Sequence, residues 1–418
     1  MSRLRFGAFL APHHPVGEHP ALQFQRDLDF VKHLDRLAFD EFYVGEHHST
    51  GWESIAAPEM FLAHAASVTH NIGLGTGVVS LPYHHPLLVA DRMVMLDHLS
   101  KGRAILGTGP GALASDAMMM GVDPMKLRDR QDEALGVILP LLRGETVSYD
   151  CEWFTLREAR LQLLPYQETL PVATASTISP SGMTMAGKYG IGVISNGSTS
   201  VEGLAALQTQ WHFAEKAAAQ HGQHVDRRNW RVLMSFHIAE TREQAVEESW
   251  RGLGKWHNEY QVRVLGRPGA EHSDNPREMA EAMAGGGASG GNVGVIGTPD
   301  DVVAKIRELQ AVSGGFGVLL GFVHDWADQE ATNRSWDLFA RYVVPEINGY
   351  TAPLRQSADW YGEHNATLTG AGVQAIVAAI AKDPEAMAQA AAGGGNPFTA
   401  GTDLDHVAAA GAGGPKGQ

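Results

Sequence analysis

GLGTGVVSLPYHHPLLVADRMVMLDHLSKGRAILGTG, residues 73–109, holds two short β-rich apolar runs, near 72–80 and 103–108, on either side of a helical pattern. Strand, helix and strand in this order make a βαβ unit, whose two strands lie parallel. Moving outward, the alternation recurs along the chain, with strands expected near 4–10, 41–45, 171–175, 191–195, 230–238 and 316–322. Eight strands with helices between them define an α/β fold of the (β/α)8 TIM-barrel type. Between the first two strands, Phe24, Leu28, Val31, Leu34 and Ala38 share one helical face and polar residues fill the others, as in an amphipathic outer helix. Later, Thr298 before Pro299, Asp300 and Asp301 supplies a cap, a preset φ and two dipole-compatible acids for the helix carrying Val303, Ile306 and Leu309.

Three stretches stand outside the repeat. Residues 145–165, with Tyr149, Trp153, Phe154 and Leu156, read as a β-hairpin insertion. Residues 263–292 run through charge and proline to GGGASGGN, a composition expected to give a long mobile loop before the last strand, able to act as a lid. Residues 390–418 are Ala/Gly-rich with few large apolar groups and are expected to be disordered. The organisation expected is a barrel over 1–350 and a C-terminal extension over 351–418.

Composition excludes several functions. A formal charge of -15 without a Lys/Arg block gives no phosphate-tracking surface, so no nucleic-acid partner is expected. No apolar run reaches membrane-span length and the start has too short an apolar stretch for a secretory signal, so the reading is no membrane and a cytoplasmic location. The one cysteine, Cys151, reads as a half-buried small residue.

In such barrels the chemistry sits at the carboxyl ends of the strands. There the chain offers His13 and His14, then Glu46, His47 and His48, then His84 and His85, and last His324 and Asp325. A zinc-dependent barrel hydrolase is one use of these imidazoles. Adjacent residues on a strand point to opposite faces, so each His pair offers one inward ligand at most, and no metal is expected. The glycines of GLGTGV (73–78) and GTGPG (107–111) do not follow a first strand and open a helix as a dinucleotide loop would. Glycine within a strand marks close approach of a flat ligand or of another backbone. STISPSG (176–182) follows the fifth strand, with Ser179 able to cap, Pro180 at the first helical position, and Ser181 and Gly182 leaving amides and hydroxyls for an anion.

GEHH (45–48), GTGVVSLPYHHP (75–86), LDHLSKGR (96–103) with GTGPG after it, STISPSG, GTP (297–299) and SGGFGVLLGF (313–322) together resemble the bacterial luciferase-like flavin monooxygenases, nearest in pattern to the limonene monooxygenase-like members. The resemblance spans 4 to about 348. It implies FMN bound at the carboxyl ends of the strands, with Thr76, Gly77 and Val78 along the ring, Gly77–Val78 as a non-proline cis bond, and Ser179, Ser181 and Gly182 at the phosphate. It implies His47 as the acid/base beside the reactive flavin carbon. Luciferase carries a cysteine and an arginine where this chain has Gly109 and Pro110, so phosphate binding falls to helix dipole and hydroxyls. The implied reaction takes reduced FMN from a separate NAD(P)H:flavin reductase, and O2, and oxidises a small hydrophobic substrate through a flavin hydroperoxide, with the chain as a homodimer. A deazaflavin-dependent hydride transfer is the alternative within the same superfamily.

Overall fold

In the computed structural model residues 3–11 and 13–392 are described, with side chains described through 388. Eight parallel strands close on themselves: β1 Arg5–Leu10, β2 Glu41–Val44, β3 Gly73–Thr76, β4 Ala104–Gly109, β5 Val172–Ser176, β6 Gly192–Ser195, β7 Trp230–Ile238 and β8 Val318–Phe322. Each pairs with its successor, and β8 pairs with β1 from Arg5↔Val318 to Phe9↔Phe322, which completes the ring. Each of the eight coincides with an apolar run of the sequence. The barrel forms because alternate side chains serve two cores. Phe6, Ala8, Leu10, Phe42, Val44 and Leu74 face outward to the helices, whereas Phe9, Tyr43, Ile105, Leu233 and Leu320 fill the interior.

The interior has a charged floor made by the same parity. Glu41, fully buried, accepts from Arg231 at 2.7 and 3.2 Å, from Arg5 at 2.7 Å and from the Tyr43 hydroxyl at 2.8 Å. Two strand glycines make room for protein rather than for a flat ligand. A Cβ on Gly75 would lie 2.3 Å from the Tyr43 ring, and one on Gly107 would lie 1.9 Å from the Thr76 carbonyl oxygen.

The outer helices follow the apolar faces. Pro20–Arg36 buries Leu28, Val31 and Leu34, and ends before Ala38, which takes a positive φ instead of extending the face. Pro299–Ser313 opens on a capping box between Thr298 and Asp301. The expected hairpin is present as Val147–Asp150 paired antiparallel with Thr155–Ala159, with Cys151 half-buried at its turn.

The stretch 263–292 is the long excursion expected before the last strand, but it carries secondary structure of its own. A π-helix, Trp256–Val264, runs into it, a helix spans Pro276–Ala282, and Ala288–Ser289 pairs with a further strand, Asn292–Gly297. That strand, which the sequence reading passed over, lies parallel to the end of β7, Ser235↔Gly294 through Ile238↔Gly297. Met279, Ala280 and Met283 are buried in a cluster with Trp52, Trp256 and Trp326. Glycine content suggested backbone freedom, but Gly285, Gly286, Gly290 and Gly291 all have positive φ and serve as turns between packed pieces.

The described residues divide into two compact units, one through Asn348 and one from Gly349. The second contains helices Ala352–Ile380 and Pro384–Ala392, the former with no buried residue. The expectation of disorder over 390–418 otherwise falls on residues 393–418, outside the described residues. Among the described residues no helix is long and apolar enough to cross a membrane.

Candidate active site

A cavity of about 460 Å³ opens at the carboxyl ends of the strands, a volume suited to a cofactor or small ligand. Two chemically different groups of residues line it.

The first surrounds the turn after β5. The helix Ser181–Tyr189 begins there with no side chain capping it, so its first amides remain available. Ser179 does not cap as the sequence suggested; its hydroxyl lies 2.8 Å from that of Ser181. Gly182 lets this helix lie against β5, because a Cβ would fall 2.2 Å from the Ala175 carbonyl oxygen. Arg128, at the start of helix Leu127–Leu142, directs its Nε to within 3.4 Å of the Ser181 hydroxyl, and among the described residues no carboxylate forms an ion pair with it. Ser176 lines the same wall, and its buried hydroxyl has no partner. Arg128 was missed in the sequence because it lies in a charged run, LRDRQDE, that reads as an ordinary solvated helix face.

The second group gathers around His47. Its Nε2 is 3.0 Å from Glu53 and its Nδ1 is 3.2 Å from Asp116. Burial alone would lower the pKa of this imidazole, but the charge of Glu53 and hydrogen bonds to Asp116 and Glu53 outweigh it and raise the value to about 10. Glu53 is itself buried; burial would raise its pKa, and His47 and His13 hold it well below the usual carboxylate range instead. It also accepts from the Tyr260 hydroxyl and faces His13 Nε2 at 3.4 Å. Tyr260 and Gln261 reach the cavity from the π-helix Trp256–Val264 and Leu265 from the residue that ends it, and Phe9, Val78, Ile194 and Phe322 supply apolar walls.

The site residues expected from the sequence thus converge with one exception. His47, Gly77, Val78, Ser179, Ser181 and Gly182 line this one cavity, and the Gly77–Val78 bond is cis. Thr76 does not line it. Its side chain has the parity of Leu74, faces away from the barrel interior, and exchanges hydrogen bonds with the carbonyl and amide of Gly107 at 2.7 and 2.9 Å. His13 lines the same cavity, whereas His14, His48, His84 and His324 are engaged elsewhere. His14 bridges Asp27 and Asp325 at 2.9 Å each, and these carboxylates raise its pKa to about 9 against the lowering effect of burial. His48 and His84 both donate to Glu46, at 2.9 and 2.8 Å. His324 is fully buried, bonded to Ser235, with burial keeping it neutral. Among the described residues no group of three His, Cys, Asp or Glu side chains is arranged to hold a metal ion.

A closed eight-stranded barrel with a largely apolar cavity at its carboxyl end, a donor-rich turn after the fifth strand and a histidine beside two carboxylates after the second has the layout of a barrel enzyme. The sequence pattern of the luciferase-like monooxygenases matches residues 4–315, and the chain belongs to that family. It is 45% identical over 370 residues to 4-hydroxyprotoasukamycin monooxygenase of Streptomyces nodosus subsp. asukaensis, covering 87% of this chain and 97% of that protein. It is 46% identical over 351 residues to limonene 1,2-monooxygenase of Rhodococcus erythropolis, covering 84% and 88%. The fold matches the oxygenating constituent of 3,6-diketocamphane monooxygenase from Pseudomonas putida, solved in complex with FMN, with a TM-score of 0.70 at 24% identity, over 82% of this chain and 99% of that one.

Proposed function

We propose that this monooxygenase is the oxygenase of a two-component flavin system: it takes reduced FMN from a separate NAD(P)H:flavin reductase, and O2, and oxidises a small, largely hydrophobic substrate. The observation that carries the reading is that one cavity joins an unneutralised Arg128 and uncapped helix amides to a buried histidine held by two carboxylates. The relatives named for limonene and diketocamphane oxidation, and the FMN in the latter structure, support the same assignment.

The residues present fit FMN. Ser179, Ser181, the first amides of helix Ser181–Tyr189 and Arg128 would hold the phosphate, a donor set of helix dipole, hydroxyls and one cation. Arg128 restores from a helix the charge that Pro110 does not provide. Gly77 and Val78 would line the ring. The bound flavin supplies the oxygen activation that no side chain can perform. The protein's own part is to bind, to exclude water with Phe9, Val78, Leu265 and Phe322, and to present the His47 cation.

Anaerobic titration with reduced FMN, followed by air, tests this directly. Tight binding of reduced FMN and a transient absorbance distinct from both reduced and oxidised flavin are expected; indifference to air would point to hydride transfer instead. Ser181→Asp is expected to weaken FMN by about tenfold or more, because it sets a negative charge against the phosphate at the helix start, while riboflavin should lose much less. Equal losses for the two ligands would move the phosphate elsewhere.

A further inference from the structure

We propose that Glu53 and Asp116 are positioning residues that hold His47 as a fixed imidazolium, so that it serves the cavity as a permanent cation and not as a base that takes and returns a proton. An ionised carboxylate only accepts, so an imidazole nitrogen bonded to one must carry hydrogen. Nδ1 of His47 is hydrogen-bonded to Asp116 at 3.2 Å, and Nε2 lies 3.0 Å from Glu53 Oε2, a separation at which a bare ring lone pair would be repelled by the carboxylate, so both nitrogens carry hydrogen and the ring is a cation. No lone pair remains to accept a proton from a substrate or cofactor.

The alternative is that one carboxylate is protonated, and the surroundings oppose it. Glu53 receives His47, His13 and the Tyr260 hydroxyl, and Asp116 receives His47, the Ser49 hydroxyl at 2.5 Å and the His48 amide at 3.2 Å. The Tyr260 and Ser49 hydroxyls and the His48 amide donate to these carboxylates, and donation favours the ionised form. His48 adds no competing base, since its ring is spent on Glu46. The shifts on all three groups run the same way: His47 up, Glu53 and Asp116 down, each against the effect of burial.

Two consequences follow for the site. The protonation of His47 beside the cavity is set by structure and does not vary near neutral pH, and the two ionised carboxylates outweigh the one cation, so the imidazolium offers an N–H donor and local compensation of Glu53 rather than a net positive site. The second is that Tyr260 ties the π-helix Trp256–Val264 to this charge, because its hydroxyl donates to one oxygen of Glu53 while His47 Nε2 lies 3.0 Å from the other. The use of the cation in turnover rests on the monooxygenase reading; its protonation state does not.

The test is nuclear magnetic resonance of the full chain labelled with 15N-histidine, with His47→Gln identifying the His47 signals. In the parent both ring nitrogens of His47 should carry hydrogen from about pH 6 to about pH 9, where an ordinary histidine would lose its charge. Asp116→Asn places an amide donor or a weaker acceptor at Nδ1, and should lower the His47 midpoint by about one unit or more and leave hydrogen on Nε2 alone at high pH. Turnover in that variant should acquire a matching pH dependence that the parent lacks, a change that mere loosening of the fold would not produce. A neutral His47 in the parent at pH 7 would overturn the proposal, and that spectrum decides even if the variant fails to fold. An imidazolium found in a chain that shows no flavin turnover would uphold the charge assignment while sinking the monooxygenase reading.

Discussion

Replacing His47 with alanine is expected to cut the product formed per reduced FMN by at least about tenfold, while hydrogen peroxide rises in its place. The expectation follows from where the charge sits. His47 lines the cavity, and its cation is matched by Glu53 and Asp116. Alanine removes the positive charge and leaves Glu53, which lines the cavity, and Asp116 behind it without their shared counter-charge, so any developing negative charge there meets stronger repulsion. Electrostatic groups of this kind typically contribute about 100-fold or more when one is removed. Flavin affinity should change less, because the phosphate group of residues is made by Ser179, Ser181 and Arg128. His48→Ala is the control, since the His48 ring donates to Glu46 and does not line the cavity. The measurement is product and hydrogen peroxide per reduced FMN for both variants beside the parent. Full coupling in His47→Ala with uncoupling in His48→Ala would assign the wrong member of the pair.

Glu41→Gln is expected to be the most damaging conservative substitution in the barrel interior, costing about 3–5 kcal/mol of unfolding free energy. Glutamine keeps the shape and removes the charge that holds Arg231, whose side chain is 4% exposed and cannot find water instead. Burial would raise the Glu41 pKa, but Arg231 and Arg5 hold it below the ordinary carboxylate value. A group depressed in the folded state contributes stability that is present above its unfolded pKa and lost as pH falls through the folded one. The parent should therefore keep this contribution at neutral pH and lose it only under acid. Denaturant unfolding of the full chain at pH 7 measures the loss, and Arg231→Met in the Glu41→Gln background should recover part of it. An unfolding midpoint equal to the parent's would show that Arg231 reaches solvent or another anion.

The reading of residues 73–109 went far because it rests on local periods. Alternation of apolar residues fixes which side chains of a strand face the helices, and eight such runs separated by helical patterns close in only a few ways. The same rule, applied one residue further, would have turned Thr76 outward with Leu74; the error came from carrying a motif over as a block. The turn at 176–182 was legible in composition, but its partner Arg128 was not, since a surface arginine becomes an anion site only when another element faces it. At 263–292 glycine content spoke for freedom, and Met279 and Met283 packing on Trp52 and Trp326 overruled it.

By itself the sequence determined the eight strands, the hairpin, the carboxyl-end placement of His47 and the donor-rich turn after the fifth strand, because each depends on neighbours within a few residues. Only the tertiary structure decided what His47 is. Glu53 is near it in sequence, but Asp116 lies 69 positions away, and Tyr260, which orients Glu53, is 207 positions from that glutamate. A proton's position depends on the charges within a few ångströms, and closure of the barrel brings those charges together from elements that carry no mark of one another in the chain.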